Sequence, residues 1–316
     1  MTTTQQADAA TREAFGPTLI KLREAGLDIA VVDGDLGAST TAKAFGDKFP
    51  ERFFTLGPAE QNMIGIAAGL AAAGKIAFAS TFAVFMPGRC YDQLRVSVSQ
   101  PNLNVKLFAS HGGITPGEDG ISAQAIEDLG LMCSLINFNV ICPADVVETA
   151  AAVDYAARHQ GPYFIRAGRP KIPTLYAPDH EFVLGKADLL RPGGDVTIVA
   201  TGIMVYIALQ AAETLAAEGI DARVLNMATW RPLDTAALEA AARETGAIVV
   251  AEEHLVHTGL GAMIAQHLAS VQPVPMGFVG VRGYAESGKW DELMAKYGLT
   301  PEAIAREARA AIARKR

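Results

Sequence analysis

The sequence predicts an α/β protein made of two doubly wound domains with mainly parallel sheets. Three observations carry that prediction. The chain has 316 residues, half of them hydrophobic, which suffices for two packed cores. Short aliphatic or β-branched runs ending in Gly, Asp or Ser alternate with longer Ala-rich segments of helical period, as successive βα units do. A Pro-rich stretch without clear period, Arg169 to Pro192, separates two such series.

The expected domains are residues 1–170 and 191–316, joined by a linker over 171–190. In the first, the strands are LDIAVVDG, KIAFAST, LNVKLFASH, FNVICPAD and YFIRAG. Helices are expected to start near Pro58, Pro87, Ser122 and Ala144, the last at a Pro-Ala-Asp helix entry. The second domain reads DVTIVATG, a helix to Gly219, IDARVLNM, a helix from Leu233, GAIVVAEEH, and a helix after Gly259-Leu260-Gly261. The Arg- and Ala-rich tail from Pro301 is expected to form a solvated terminal helix.

Composition removes several function classes. The net charge of -7 arises from scattered residues without a basic cluster, so nothing is available to neutralise a row of phosphates and nucleic acid is excluded as a partner. No apolar stretch reaches the roughly 18 to 20 residues that cross a bilayer, and the polar opening MTTTQQADAATREA has no hydrophobic signal core. A cytoplasmic protein with no membrane partner is expected. Cys90, Cys133 and Cys142 lack CxxC spacing and are odd in number, which suggests reduced thiols rather than a disulfide framework or a zinc site.

In such folds the sites lie at the carboxyl ends of strands. Asp33 and Asp35, Ser80-Thr81 and His111 all follow strands, and the loop GGITPGEDGISAQ carries Glu118 and Asp119 among glycines that let backbone approach a ligand. One feature stands apart: the polar triplet Glu60-Gln61-Asn62 opens a helix that is otherwise Ala, Gly and small aliphatics. Glu60 has two readings on residue type alone. It is either a first-turn acid stabilising the positive end of the helix by roughly 0.3 to 1 kcal/mol, or a buried carboxylate awaiting a basic ring nitrogen with which to share a proton.

The segments GPAEQNMIGIAAGLA, ASTFAVF, SHGGITPGEDGISAQAIED and VICPADVVE, in that order from Gly57 to Glu148, closely resemble the transketolase signature. The family shows an AEQN helix, an STF strand, an SH loop, a GEDG loop and a PAD helix entry. The ordered set is far more specific than any one motif. The resemblance continues to AEEH before the Gly-Leu-Gly helix start. It implies the pyrimidine-binding and C-terminal domains of a transketolase, with thiamine diphosphate and Mg²⁺ as cofactors. Glu60 would hydrogen-bond the pyrimidine nitrogen and drive the 4′-amino group toward its imino form, with Phe82 and Phe85 packing against the ring. Unaided by the motif, phenylalanines at this spacing are more often plain core; the motif favours the pocket for both.

The same resemblance implies that His111 faces substrate as a catalytic group and that Asp119 contacts sugar hydroxyls. Arg169 in RAGRPKIP would hold a substrate phosphate with its planar donor fork. Ser39 in DGDLGAST would contact phosphate, and Asp35 would lie near the thiazolium ring. The plain alternatives are a structural histidine, a solvated loop acid, a surface ion pair, and helix caps. One departure is specific: GEDGISAQ places Ala123 where the family has a second histidine, and losing an imidazole typically costs on the order of 10²-fold in rate.

A Gly-Asp-Gly motif with a downstream Asn, which holds the diphosphate and Mg²⁺ in such enzymes, is missing. Its nearest imitation, Gly34-Asp35-Leu36, lacks the second Gly. The expected partner is therefore an N-terminal transketolase subunit carrying that motif, in an α2β2 heterotetramer acting on sugars or sugar phosphates. Two alternatives stand beside this. YDQLR at Tyr91 is shared with β subunits of 2-oxo acid dehydrogenases and with deoxyxylulose-phosphate synthases, and Ala123 fits a non-catalytic scaffold.

Overall fold

The computed structural model describes residues 8–315; the polar opening up to residue 7 and Arg316 lie outside the described residues. In chain order the first part contains β1 (Ala9–Ala10), α1 (Phe15–Glu24), β2 (Ile29–Asp33), α2 (Gly37–Thr40), α3 (Lys43–Lys48), β3 (Phe53–Thr55), α4 (Glu60–Ala72) and β4 (Ile76–Phe82). It continues through α5 (Phe85–Gln93), β5 (Val105–Ser110), α6 (Asp128–Cys133), β6 (Asn139–Ile141), α7 (Val146–Arg158), β7 (Tyr163–Arg166) and β8 (Lys171–Ile172). The second part contains β9 (Asp188–Arg191), β10 (Val196–Ala200), α8 (Met204–Ala217), β11 (Ala222–Asn226), β12 (Thr229–Arg231) and α9 (Thr235–Thr245). It ends with β13 (Ile248–Leu255), α10 (Leu260–Val271), β14 (Met276–Val281), α11 (Trp290–Lys296) and α12 (Pro301–Ile312).

A seven-stranded sheet has the order β12-β6-β7-β5-β4-β2-β3, and a five-stranded sheet the order β14-β13-β10-β11-β9. Both are parallel apart from one edge strand each: β12 runs antiparallel to β6, and β9 antiparallel to β11. The doubly wound architecture follows from the strands themselves. β2, β5 and β10 are buried at every position, as strands covered by helices on both faces must be. Between the helical layers, Phe15 of α1 stacks on Phe108 of β5 with ring centroids 3.9 Å apart and planes 2° from parallel.

Local signals explain the helix starts. The Pro-Ala-Asp entry is capped by Asp145, whose Oδ1 accepts from Glu148 N at 2.8 Å, while Glu148 Oε2 accepts from the amide of Ala144, one residue before the cap, at 2.6 Å. Thr300 caps α12 ahead of Pro301. The start of α4 is fixed by close packing instead. A Cβ on Gly57 would lie 2.8 Å from the Gly34 carbonyl carbon and 2.9 Å from Asp35 Cβ, so the turn before Glu60 sits directly against the turn after β2.

Three expectations are corrected. The helix expected near Ser122 begins only at Asp128, because residues 113 and 125 exchange both backbone hydrogen bonds, 2.7 and 2.9 Å, and close the intervening residues into a loop of turns with a short 3₁₀ segment at Gly117–Asp119. The segment read as a linker includes β8 and β9, whose pairing partners β1 and β11 are remote in sequence. The terminal helix is not a solvated cap: Ala303, Ile304, Ala305, Ala308 and Ala311 are buried against α8 and β14, and the arginines take its outer face.

Replacing Phe15 with Ala should lower the unfolding free energy by about 3–5 kcal/mol, read from the urea midpoint at unchanged m-value.

Candidate active site

Register places the first pair of side chains. β4 and β5 run parallel with Phe82 opposite Ser110, so the residue after each strand emerges at the same edge. His111, one step past β5, stacks on Phe82 with ring centroids 3.8 Å apart and planes 24° from parallel. It can turn out of the sheet there because its φ is 61°, a left-handed conformation that costs a non-glycine residue energy and must be held by its surroundings. Ser110 Oγ lies 2.8 Å from His111 Nδ1, and Arg12 Nη1 lies 3.4 Å from Nε2. A guanidinium only donates, which assigns Nε2 as the acceptor and leaves the proton on Nδ1, directed at Ser110. Burial, reinforced by the cations of Arg12 and Arg169, pushes the imidazole down to about 3, so it is neutral at physiological pH.

Phe82 also neighbours Phe85, whose ring centroid stands 5.8 Å away with its plane 16° from parallel. Arg89 follows Phe85 by one helical turn on α5 and lays its guanidinium over that ring, 3.9 Å from the centroid. The same guanidinium donates to Glu60 Oε1 at 2.8 Å. Gln61 Nε2 donates to the Arg89 carbonyl at 3.0 Å, tying α4 to α5. Glu60 itself is only 6% exposed.

Arg12 links this row to α2 by donating to the Ser39 carbonyl at 2.8 Å. Arg12 and Arg169 also line one cleft of about 340 Å³ with Thr115, Glu118, Lys289 and Trp290. Arg169 lies 4.0 Å from Glu118 in this cleft and 3.7 Å from Asp119, which is not part of its lining.

Of the residues singled out from the sequence, Glu60, Phe82, Phe85 and His111 thus form one continuous row of contacts, while Arg169 lines the adjoining cleft and pairs with Asp119 beside it. Ser39 joins through its carbonyl, and Asp35, exposed and at φ 66°, lines a separate recess with Asp33, Lys43 and Phe53. Ala123 is buried in the loop, its amide bonded to the Gly120 carbonyl at 3.0 Å. Sequence reasoning missed Arg12 and Arg89. For Arg89 a signal existed, its i, i+4 spacing from Phe85; Arg12 reaches the site across 99 positions of chain, which no local pattern encodes.

The chemistry available is a buried carboxylate beside two aromatic faces, a neutral imidazole, and a cleft carrying three cations. That donor set fits an aminopyrimidine ring next to a polyhydroxylated substrate with an anionic end. Among the described residues, Glu148, His180 and Asp188 group closely enough to hold a metal ion, but Asn226 Nδ2 already donates to Glu148 and the Tyr176 hydroxyl to Asp188, and none of the three belongs to this row. No helix among the described residues is long and apolar enough to cross a membrane.

Comparison with known proteins gives a consistent picture. The family described as "Transketolase, pyrimidine binding domain" matches residues 7–174, and "Transketolase, C-terminal domain" matches residues 185–304. A putative transketolase C-terminal section from Methanocaldococcus jannaschii is 42% identical over 301 residues, covering 93% of this chain and 94% of the relative. The 6-deoxy-6-sulfo-D-fructose transketolase subunit SqwH of Clostridium sp. is 42% identical over 305 residues, covering 96% and 95%. A solved structure described as "Split gene transketolase, inactive beta4 tetramer" superposes with a TM-score of 0.90 at 46% identity, covering 98% of this chain and all of the other.

The imidazole assignment has a measurable consequence. Unfolded, His111 takes up its proton near the usual histidine value of about 6.5; folded, it does so at about 3. The stability it contributes is therefore complete above the unfolded value and is lost as pH falls from there toward the folded one. NMR should show the His111 ring neutral from pH 8 to about 4.5, and His111→Gln should remove its share of the acid-side slope in denaturation midpoints.

Proposed function

Because the chain belongs to the transketolase family, we propose that it is the C-terminal subunit of a split transketolase that moves a two-carbon ketol unit from a ketose to an aldose. The observation that carries this reading is the row Glu60, Arg89, Phe85, Phe82, His111 and Arg12, built across the ends of parallel strands. Glu60 would bond the pyrimidine nitrogen of thiamine diphosphate, with Phe82 and Phe85 bounding the ring; Arg89, which now engages both Glu60 and Phe85, must share them with it. When bound, the cofactor supplies the electron sink for cleaving a carbon–carbon bond beside a carbonyl.

The rest falls to the chain. His111 Nε2, an acceptor on a neutral ring, would take a hydrogen bond from a substrate hydroxyl in place of the one it accepts from Arg12. Arg12 and Arg169 provide planar donor forks for a phosphate or sulfonate at the far end of the sugar. The sulfo-sugar named for the Clostridium relative carries such a group. Asp119, opposite Arg169, is placed to orient hydroxyls.

A second subunit is required on this reading. The nearest diphosphate-like motif, Gly34-Asp35-Leu36, opens the recess lined by Asp33 and Asp35 and is poor in cationic groups. The diphosphate and its Mg²⁺ would lie on an N-terminal subunit with Gly-Asp-Gly, in an α2β2 assembly. The description of the similar solved structure as an inactive β4 tetramer supports the idea that such a chain by itself is incomplete.

The test is reconstitution of this chain with its diphosphate-binding partner, thiamine diphosphate, Mg²⁺, and a panel of ketose donors and aldose acceptors. A shortened aldose and an extended ketose are expected. Glu60→Gln should cut turnover by on the order of 10²-fold or more while leaving the oligomer assembled by light scattering. Retained turnover in that variant, or decarboxylation of pyruvate in place of ketol transfer, would refute the assignment.

A further inference from the structure

The loop that carries His111 and Asp119 is closed by its own Gly113–Ala125 backbone pair, but its side toward the second domain is held from outside. There a side chain of the second domain grips it. Glu253, on β13 and 6% exposed, accepts from the Thr115 amide with Oε1 at 2.8 Å, and Thr115 lies midway between His111 and Asp119. Arg166, at the end of β7 and 4% exposed, ties the anchor from below. Its Nη2 donates to the Glu253 carbonyl at 3.0 Å, while its Nε lies 3.4 Å from Asp128 Oδ2.

The two glycines after His111 make this contact possible. A Cβ on Gly112 would lie 1.8 Å from Arg166 Nε, and one on Gly113 would lie 1.9 Å from the Glu253 carboxyl carbon. Gly113 also has a φ of 75°. The chain can pass between guanidinium and carboxylate only where both side chains are missing. Further contacts run the same way: Gln124 Nε2 donates to the Glu286 carbonyl at 3.0 Å, and the Leu255 amide to the Ile126 carbonyl at 3.0 Å.

We propose that Glu253 is a positioning residue: a carboxylate of the C-terminal domain that, through the Thr115 amide, sets the placement of His111 and Asp119 against the substrate. It touches neither cofactor nor substrate. This inference rests on the transketolase reading for its kinetic consequence but not for its structural one. It assigns to the C-terminal domain a share in substrate recognition, because a small displacement of a substrate-facing group is enough to lower its contribution steeply.

The experiment uses the assembled two-subunit enzyme with Glu253→Ala and Glu253→Gln. Gln keeps an oxygen acceptor for the Thr115 amide; Ala removes it. Glu253→Ala should raise KM for the ketose donor about tenfold or more, leave thiamine diphosphate affinity unchanged in a fluorescence titration, and speed amide hydrogen exchange over residues 112–126. Glu253→Gln should return KM to within about threefold of the parent and restore protection of Thr115. An unchanged KM and exchange rate in the Ala variant, an equal loss of cofactor affinity, or failure of Gln to rescue would overturn the proposal. Should Ala not assemble, Gln decides through Thr115 protection, whose loss overturns it. Absence of ketol transfer by the parent enzyme would refute the reaction while the exchange readout still tests the anchor.

Discussion

The parallel register of β4 and β5 is the constraint on which the site depends. Opposing Phe82 to Ser110 brings an aromatic ring and an imidazole into face contact with no help from their neighbours in sequence, and every other group is placed relative to that pair. Phe85 and Arg89 follow because α5 starts three residues beyond Phe82. Glu60 follows because the turn before it is pressed against the turn after β2. A slip of one residue between the two strands would send one of the stacked partners to the opposite face of the sheet, and no adjustment of loops would restore the row.

Polar contacts in this region are charged and buried, so their energetics are those of completion rather than of accumulation. Arg166, Asp128 and Glu253 share a low-exposure pocket between the two sheets, where burial pushes Glu253 up and Asp128 to about 6 against the opposing pull of the Arg166 guanidinium. Removing one member of such a group strands the others. Glycine is as much a part of this arrangement as the charges are. Gly112 and Gly113 leave room that a single methyl group would fill, and the loop they open reaches the cleft where Arg12 and Arg169 stand.

The fold was legible because it is written in local patterns. β2, β5 and β10 read as strands from short aliphatic or β-branched runs ending near Gly, Asp or Ser, and α7 from the Pro-Ala-Asp entry ahead of it. Much of the row at the strand ends was legible too, since Glu60, Phe82, Phe85 and His111 sit in ordered motifs. What escaped depended on long-range contact. The helix expected at Ser122 was displaced by backbone pairing between Gly113 and Ala125. Arg12 comes from a segment that looks merely polar, and the burial of α12 reflects alanines that pack on α8, a partner no window of sequence reveals. Arg89 and Glu253 were visible as residues, but their roles needed distances.

One strand joins the halves in a way that restricts how the molecule can be divided. β12, with Trp230 fully buried, comes from the second half of the chain yet borders β6 at the margin of the first sheet. Severing the polypeptide between β8 and β9 would strip β6 of this cover and leave an unsatisfied row of amides and carbonyls beside an apolar hollow, the kind of template on which foreign strands stack. Shuffling the first half alone onto another polypeptide would therefore yield a sticky fragment, and evolutionary fission of this gene between those strands would have to be repaired by a substitute border.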